Sequence, residues 1–330
     1  MPESLRAAIT GIGATVPERI LTNEDLEKIV DTSDEWITQR TGIKERHIVS
    51  DDESTATLAI QSAKQALDDA GVAPTDLDMI ICATVSPEMP FPATACLVQD
   101  ALGATDVPAF DISAACSGFV YELIIARQFI ENGTYRRILI IAADALSRIT
   151  DYTDRGSCIL FGDAAGAAVL EPTERNAHGL IYTVMHANGA GWDFIHIPAG
   201  GARKPTSIQT VEAHEHFMKL RGRDVYRFAV EKMQWLLGDC LDKCGLSVDD
   251  VDLVIPHQVN ERIISSAAGK LNYPMDKVYV NIDRYGNTSG ASIPLALAEA
   301  RQKGLISAGS TVIMIAFGAG LTWAGAVVKL

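Results

Sequence analysis

The sequence predicts an α/β protein built twice over. Two mixed, mostly parallel sheets enclose a shared buried helical layer and carry further helices outside, five layers in the order αβαβα. Three observations predict this. Apolar runs such as residues 77–85 (LDMIICATV) and 137–143 (RILIIAA) alternate with helical segments, a pattern that yields mostly parallel sheets covered on both faces. The second half then rebuilds the first: DLDMII at 76–81 matches DVDLVI at 250–255, and LIIA at 139–142 matches IMIA at 313–316, both at an offset of 174 residues. Two helices, at 118–131 and 291–302, are apolar on most sides, as buried helices are. The chain accordingly divides into halves at 1–174 and 175–330, joined by a polar linker at 172–177 (PTERNA).

Residues 7–16 (AAITGIGATV) read as a first strand and turn. Gly11-Ile12-Gly13 lacks the third glycine of a dinucleotide loop, which rejects that motif. Thr22 or Asn23 caps a short helix, and a second helix begins at 31–36 (DTSDEW), where Thr32 and Glu35 have capping-box spacing. Trp36 and Arg40 share a face of it. They can stack on a planar ligand such as adenine, or they are a packing Trp beside a solvated Arg; by themselves the residues favour the second reading. An amphipathic helix spans 55–70 and ends at Gly71; a strand follows at 77–85, then a helix at 91–102 with Pro92 in its first turn.

Residues 108–112 read as a short buried strand, followed by small residues (SAACSG, 113–118) and an apolar helix that Asn132-Gly133 stops. Cys116 therefore sits at a strand–helix junction, where free backbone N–H groups and the helix dipole lower a thiol's pKa. Two readings fit this stretch: a nucleophile that forms thioesters, or a small buried apolar cysteine. The glycine- and alanine-rich run at 159–167 (ILFGDAAGA) lacks the Gly-Lys-Ser/Thr ending of a phosphate loop.

In the second half, residues 279–283 match the strand at 108–112. His257 follows the strand 252–255 at its C-terminal end, Asn260 caps the next helix, and Asn287 precedes the second buried helix. Ligands of open α/β sheets sit outside the carboxyl ends of strands, where Cys116, His257 and Asn287 all lie. The run FGAGLTW at 317–323 follows a buried strand and can offer backbone N–H groups to an oxyanion.

Composition narrows the class. A chain of 330 residues with 48% hydrophobic content fits a compact enzyme and not a disordered chain. No apolar run approaches the roughly 18 residues of a membrane span, and the acidic, polar start (MPES) does not read as a leader, so the expected compartment is the cytoplasm. Cysteines are scattered at 82, 96, 116, 158, 240 and 244 with no C-x-x-C pair, as in a reduced protein; Cys240 and Cys244 share a helix face but make a weak metal signal. A net charge of −14 argues against nucleic acid, and an acidic partner would need a local basic patch.

Several long stretches together resemble one family: DTSDEWITQRTGIKERH from Asp31, AACSGF around Cys116, DRGSCILFGDAAGAAVL from Asp154, PHQVNERII from Pro256, GNTSGAS from Gly286 and AFGAGLTW from Ala316. In this the chain is similar to β-ketoacyl-acyl-carrier-protein synthase III, the priming condensing enzyme of fatty acid synthesis in the thiolase superfamily. The resemblance covers nearly the whole chain and implies a thiolase-like fold and a homodimer. It implies that Cys116 takes an acyl group from a short acyl-CoA. His257 and Asn287 then donate hydrogen bonds to the thioester oxygen of malonyl-acyl carrier protein during decarboxylation, and the backbone N–H groups of Cys116 and Gly318 form an oxyanion hole.

It further implies that Trp36 and Arg155 flank the CoA adenine, with Thr32 and Arg40 nearby, and that Phe91 reaches into a partner subunit's acyl pocket. The carrier protein is expected at Arg223, Arg227, Gln258, Arg262 and Lys270, with Arg221 beside them; a solvated charged face is the plainer alternative for that cluster. No cofactor and no metal are implied, acyl-CoA being a substrate. Ala164, Ala319 and Leu321 depart from the family's usual glycines and aromatic, which bears on acyl-chain preference and not on the reaction. The competing functions are a condensing enzyme or acyltransferase of secondary metabolism on the same fold, and a non-catalytic dimer partner, against which the complete Cys, His, Asn set argues.

Overall fold

The computed structural model describes residues 5–174 and 178–330; the polar start at 1–4 and residues 175–177 of the expected linker lie outside them. Strand β1 (Leu5–Thr15) is followed by the antiparallel pair β2 (Ile20–Thr22) and β3 (Glu45–His47), between which run helices α1 (Asn23–Glu27) and α2 (Asp34–Thr41). Then come α3 (Thr55–Ala70), β4 (Met79–Ala83), α4 (Thr94–Leu102), β5 (Ala109–Ile112), α5 (Gly118–Glu131), β6 (Ile138–Asp144) and the returning β7 (Ala164–Glu174). The second set opens with β8 (Gly179–Ala187). A long connection holds β9 (Ile195–His196), α6 (Ile208–Glu212) and β10 (Lys219–Leu220), before α7 (Gly222–Cys244), β11 (Leu253–Pro256), α8 (Glu261–Lys270), the single turn α9 (Ile282–Tyr285), α10 (Ser292–Gln302), β12 (Thr311–Gly318) and β13 (Thr322–Lys329).

One sheet has the order β1-β7-β6-β4-β5 and the other β11-β12-β13-β8. Both are mixed: β5, β4 and β6 are parallel, as are β11 and β12, while β7, β1, β13 and β8 return antiparallel. Alternation along each central strand explains why both faces are covered. Ile81, Ile140, Ile255 and Met314 point inward to α5 and α10, which lie between the sheets with Phe119, Leu123, Ile293 and Leu297 in one shared core. The opposite side chains, Ile80, Leu139 and Ile141, meet α3 and α4, and Val254, Ile313 and Ile315 meet α7 and α8. The five layers are those the sequence predicts.

Several boundaries differ, each for a reason that lies elsewhere in the chain. The expected linker begins inside a strand: Pro172, Thr173 and Glu174 pair with Ala7, Arg6 and Leu5. Helix α2 is capped by Ser33, whose hydroxyl accepts from the Trp36 N–H, and not by Thr32. Helix α4 starts at Thr94, after Pro92, because its first N–H groups are taken by Asp111 of β5: Thr94 donates at 2.7 Å and Ala95 at 2.8 Å. Residues 279–283 do not form a strand. Val278 makes one parallel bridge to Val254, and the chain then turns into α9 because Asn281 is held by Gln258 Oε1 and by Glu299.

Candidate active site

Each candidate residue is placed by the backbone that precedes it. Ala115 takes a left-handed φ of +48° and turns the chain from β5 into the helical turn that carries Cys116. Helix α5 can begin there because Gly118 abuts Ala83 at the end of β4; a Cβ on Gly118 would lie 2.6 Å from that methyl group. Thr322 of β13 pins the turn, donating to the Ala114 carbonyl at 2.9 Å. Gly318, at the end of β12, comes so close that a Cβ on it would sit 2.6 Å from the Cys116 backbone nitrogen. Only glycine lets these two backbones meet, which puts the expected oxyanion pair side by side.

His257 follows Pro256 at the end of β11, its N–H donating to the Ile315 carbonyl at 2.8 Å. The ring is almost wholly buried, edge-on to Phe317, with Nδ1 2.8 Å from Ser292 Oγ and Nε2 without a hydrogen-bond partner among the described residues. Asn287 is held by two backbone bonds, its N–H to the Leu160 carbonyl and its carbonyl accepting from Gly162. Its side-chain oxygen accepts from the Ser289 N–H at 2.9 Å, which leaves the amide NH₂ as a donor. Ser289 reaches that position with a left-handed φ of +52°.

Cys116, His257, Asn287 and Gly318 all line one cavity of about 610 Å³, walled by apolar side chains including Val85, Leu146, Leu160, Met218, Phe317 and Leu321. Enclosure changes the electrostatics. Burial pushes the Cys116 thiol up to about 12, and the Ser289 hydroxyl beside it offsets only part of this. The expected lowering is therefore not found: loss of hydration at the thiolate outweighs the backbone dipoles. Burial likewise lowers His257 to about 3, against a smaller upward pull from the Ser289 backbone. That keeps His257 a neutral imidazole at physiological pH, with one ring nitrogen a donor and the other an acceptor.

Trp36 and Arg40 line the same cavity. The Arg155 guanidinium lies 4.2 Å from the Trp36 ring centre and that of Arg40 4.6 Å, so the structure brings these three together. Thr32 is close in sequence but does not line the cavity, and its buried Oγ1 has no partner among the described residues. Phe91 lies outside the cavity of its own chain and is 85% exposed.

Of the basic residues, Arg223, Arg227, Arg262 and Lys270 are exposed on α7 and α8, which pack together, and Arg262 borders the cavity. Arg221 is engaged by Asp193 and Asp224. Gln258 is not a surface residue. It is 1% exposed, donating to the Pro256 and Tyr279 carbonyls and accepting from the Asn281 N–H, so its expected contact with a carrier protein is corrected to a scaffold role. Sequence reading gave no part to Ser289, Ser292 or Thr322. All three lie inside quoted motifs, but the contacts that give them a role cross between halves or between elements. Among the described residues no group of three or more His, Cys, Asp or Glu could hold a metal ion, and no helix is long and apolar enough to cross a membrane.

Comparison with known proteins shows the family. Two family models match, 3-oxoacyl-[acyl-carrier-protein (ACP)] synthase III over residues 110–189 and its C-terminal region over 241–330. The β-ketoacyl-[acyl-carrier-protein] synthase III of Caldanaerobacter subterraneus subsp. tengcongensis is 52% identical over 329 residues, 100% of this chain and 99% of that one. The chain belongs to the synthase III family. A crystal structure of the enzyme from Aquifex aeolicus VF5 superposes with a TM-score of 0.90 at 46% identity, over 98% of this chain and 100% of that one. The priming β-ketosynthase of the R1128 polyketide pathway has the same TM-score at 33% identity, over 100% of this chain and 98% of that one. The Caldanaerobacter and Aquifex enzymes are thus more identical to this chain than the polyketide enzyme is.

Proposed function

We propose that this chain carries out the initiating condensation of fatty acid synthesis by dividing the chemistry between its halves. A short acyl-CoA enters past Trp36, Arg40 and Arg155, and Cys116 Sγ attacks its thioester. The acyl group moves to sulfur, CoA leaves as the thiol, and the exchange is proton-neutral. The tetrahedral oxyanion is held by the N–H groups of Cys116 and Gly318. Malonyl-acyl carrier protein then binds, drawn to the exposed Arg223, Arg227, Arg262 and Lys270 although the chain as a whole is acidic.

Loss of carbon dioxide from the malonyl group leaves an enolate. Its oxygen accepts hydrogen bonds from His257 Nε2 and the Asn287 amide, both neutral donors fixed before the charge appears. The carbanion attacks the acyl carbonyl, the Cys116 thiolate leaves and takes up one proton, and 3-ketoacyl-acyl carrier protein is released with carbon dioxide. The working unit is a homodimer in which Phe91, exposed on its own chain, closes the partner's acyl pocket. The observation that carries this reading is the convergence of Cys116, His257, Asn287 and Gly318 on one apolar cavity.

The test is to supply the protein with acyl-CoA and malonyl-acyl carrier protein and to follow the mass of the carrier protein. A 3-ketoacyl product formed with release of carbon dioxide is expected. Acyl transfer to the carrier protein without loss of carbon dioxide would replace condensation by simple transfer.

A further inference from the structure

The duplication sets two contacts side by side. Ala83 ends β4 and meets Gly118 at the start of α5. At the same 174-residue offset, His257 stands where Ala83 does, and Ser292 where Gly118 does. The strand end and helix start that touch through a methyl group in the first half touch through a hydrogen bond in the second. Ser292 is 1% exposed and opens α10. Its Oγ lies 2.8 Å from His257 Nδ1 and 3.3 Å from the Gln258 backbone nitrogen, and those are its partners among the described residues.

A backbone N–H can only donate, so Ser292 Oγ accepts from Gln258 and has its own hydrogen left for an acceptor. A hydroxyl can accept twice, but if an Nδ1–H also donated to Ser292 Oγ the buried hydroxyl hydrogen would have no acceptor among its partners. With Nδ1 unprotonated both groups are satisfied, and the ring proton resides on Nε2. We infer that Ser292 is a positioning residue: with the Gln258 N–H behind it, it fixes the Nε2–H tautomer of His257 and aims that proton into the cavity. Without it, Nδ1 is a buried nitrogen with no partner, and either tautomer or a rotated ring answers the loss. The inference rests on the donor role proposed for His257, but the tautomer itself is a property of the free protein.

The experiment uses the full chain labelled with ¹⁵N-histidine, with His257 assigned by loss of its signals in His257→Gln. Nitrogen shifts of the wild type are expected to show protonated Nε2 and bare Nδ1 between about pH 6 and 8. Ser292→Ala is expected to shift His257 toward a mixture of tautomers. It should lower kcat for condensation about tenfold, short of the ~10²–10³ that losing an oxyanion donor costs. Acylation of Cys116 should be unchanged. Ser292→Thr, which keeps the hydroxyl, is expected to restore the wild-type shifts.

A wild-type ring protonated on Nδ1 overturns the inference, whatever reaction the enzyme performs. So does a Ser292→Ala protein that keeps the wild-type tautomer and rate. A wild type with the expected tautomer but no condensation with malonyl-acyl carrier protein would leave the positioning intact and sink the proposed reaction instead.

Discussion

In the first half, Ala115 turns left-handed at +48° and presents Cys116; 174 residues later Ser289 turns left-handed at +52° and presents Gly290. Each elbow starts a buried central helix, and each non-glycine residue in that region costs about 1–3 kcal/mol that the surrounding packing must offset. Each elbow also leans on the end of a strand from the other half. The Cys116 turn meets Gly318, and the Ser289 turn lies near Asp144, the residue at the matching position of β6. What differs is the side chain. Where the first half has Cys116, the second has Gly290; where the second has Gly318, the first has a buried Asp144 that accepts from Thr84, Val85 and Ser86. One frame thus places the proposed nucleophile on one side and the proposed neutral donors on the other, facing the same cavity.

The largest effect should come from removing the part found in one half only. Cys116→Ala is expected to abolish acyl-enzyme formation, read as the absence of any acyl mass on the protein. Gly318→Ala comes next: its Cβ would fall 2.6 Å from the Cys116 nitrogen, the backbones must separate, and the oxyanion pair is lost. Both acylation and condensation should fall by ~10²–10³, the cost typical of one lost donor. Wild-type rates in this variant would remove Gly318 from the site.

The raised thiol gives a pH signature. The reactive form is the thiolate, so single-turnover acylation by acyl-CoA should climb with pH by about tenfold per unit through the neutral range. A plateau above pH 7 would mean that the thiol is lowered after all. His257, already neutral, should add no acid limb near pH 6. The smallest effect is expected at the matching elbow. A Cβ on Gly290 would meet the Ala115 carbonyl and the Ala142 methyl at 3.4 Å, ordinary contact, so Gly290→Ala should keep acylation within about twofold of wild type. Loss of activity there as large as at Gly318 would break the comparison.

The layers were legible in the sequence because they depend on local pattern: Ile80 and Ile81, or Leu139 and Ile140, are apolar on alternate faces, and the repeat at 174 residues exposes the duplication directly. The candidate site was legible where residue type marks it, at Cys116, His257 and Asn287, which the fold brings to one cavity. What escaped was set at long range. Asp111 caps a helix 17 residues earlier in the chain, Gln258 is drawn inward by Asn281 and Tyr279, and Ser292 finds His257 only because a strand end and a helix start are brought together. The thiol's pKa was misjudged for a related reason. Local sequence shows the small residues and helix start that favour a thiolate, but desolvation comes from cavity walls supplied by both halves.

The division of labour between the two elbows is tested most directly by Asn287→Ala followed by intact mass. Incubated with acyl-CoA, this variant should gain the same single acyl adduct as the wild type. Malonyl-acyl carrier protein should discharge the adduct from the wild type, while the variant holds it, discharging ~10²–10³ more slowly. An Asn287→Ala protein that fails to acylate, or that discharges at the wild-type rate, would contradict the assignment of nucleophile to one half and enolate stabilisation to the other.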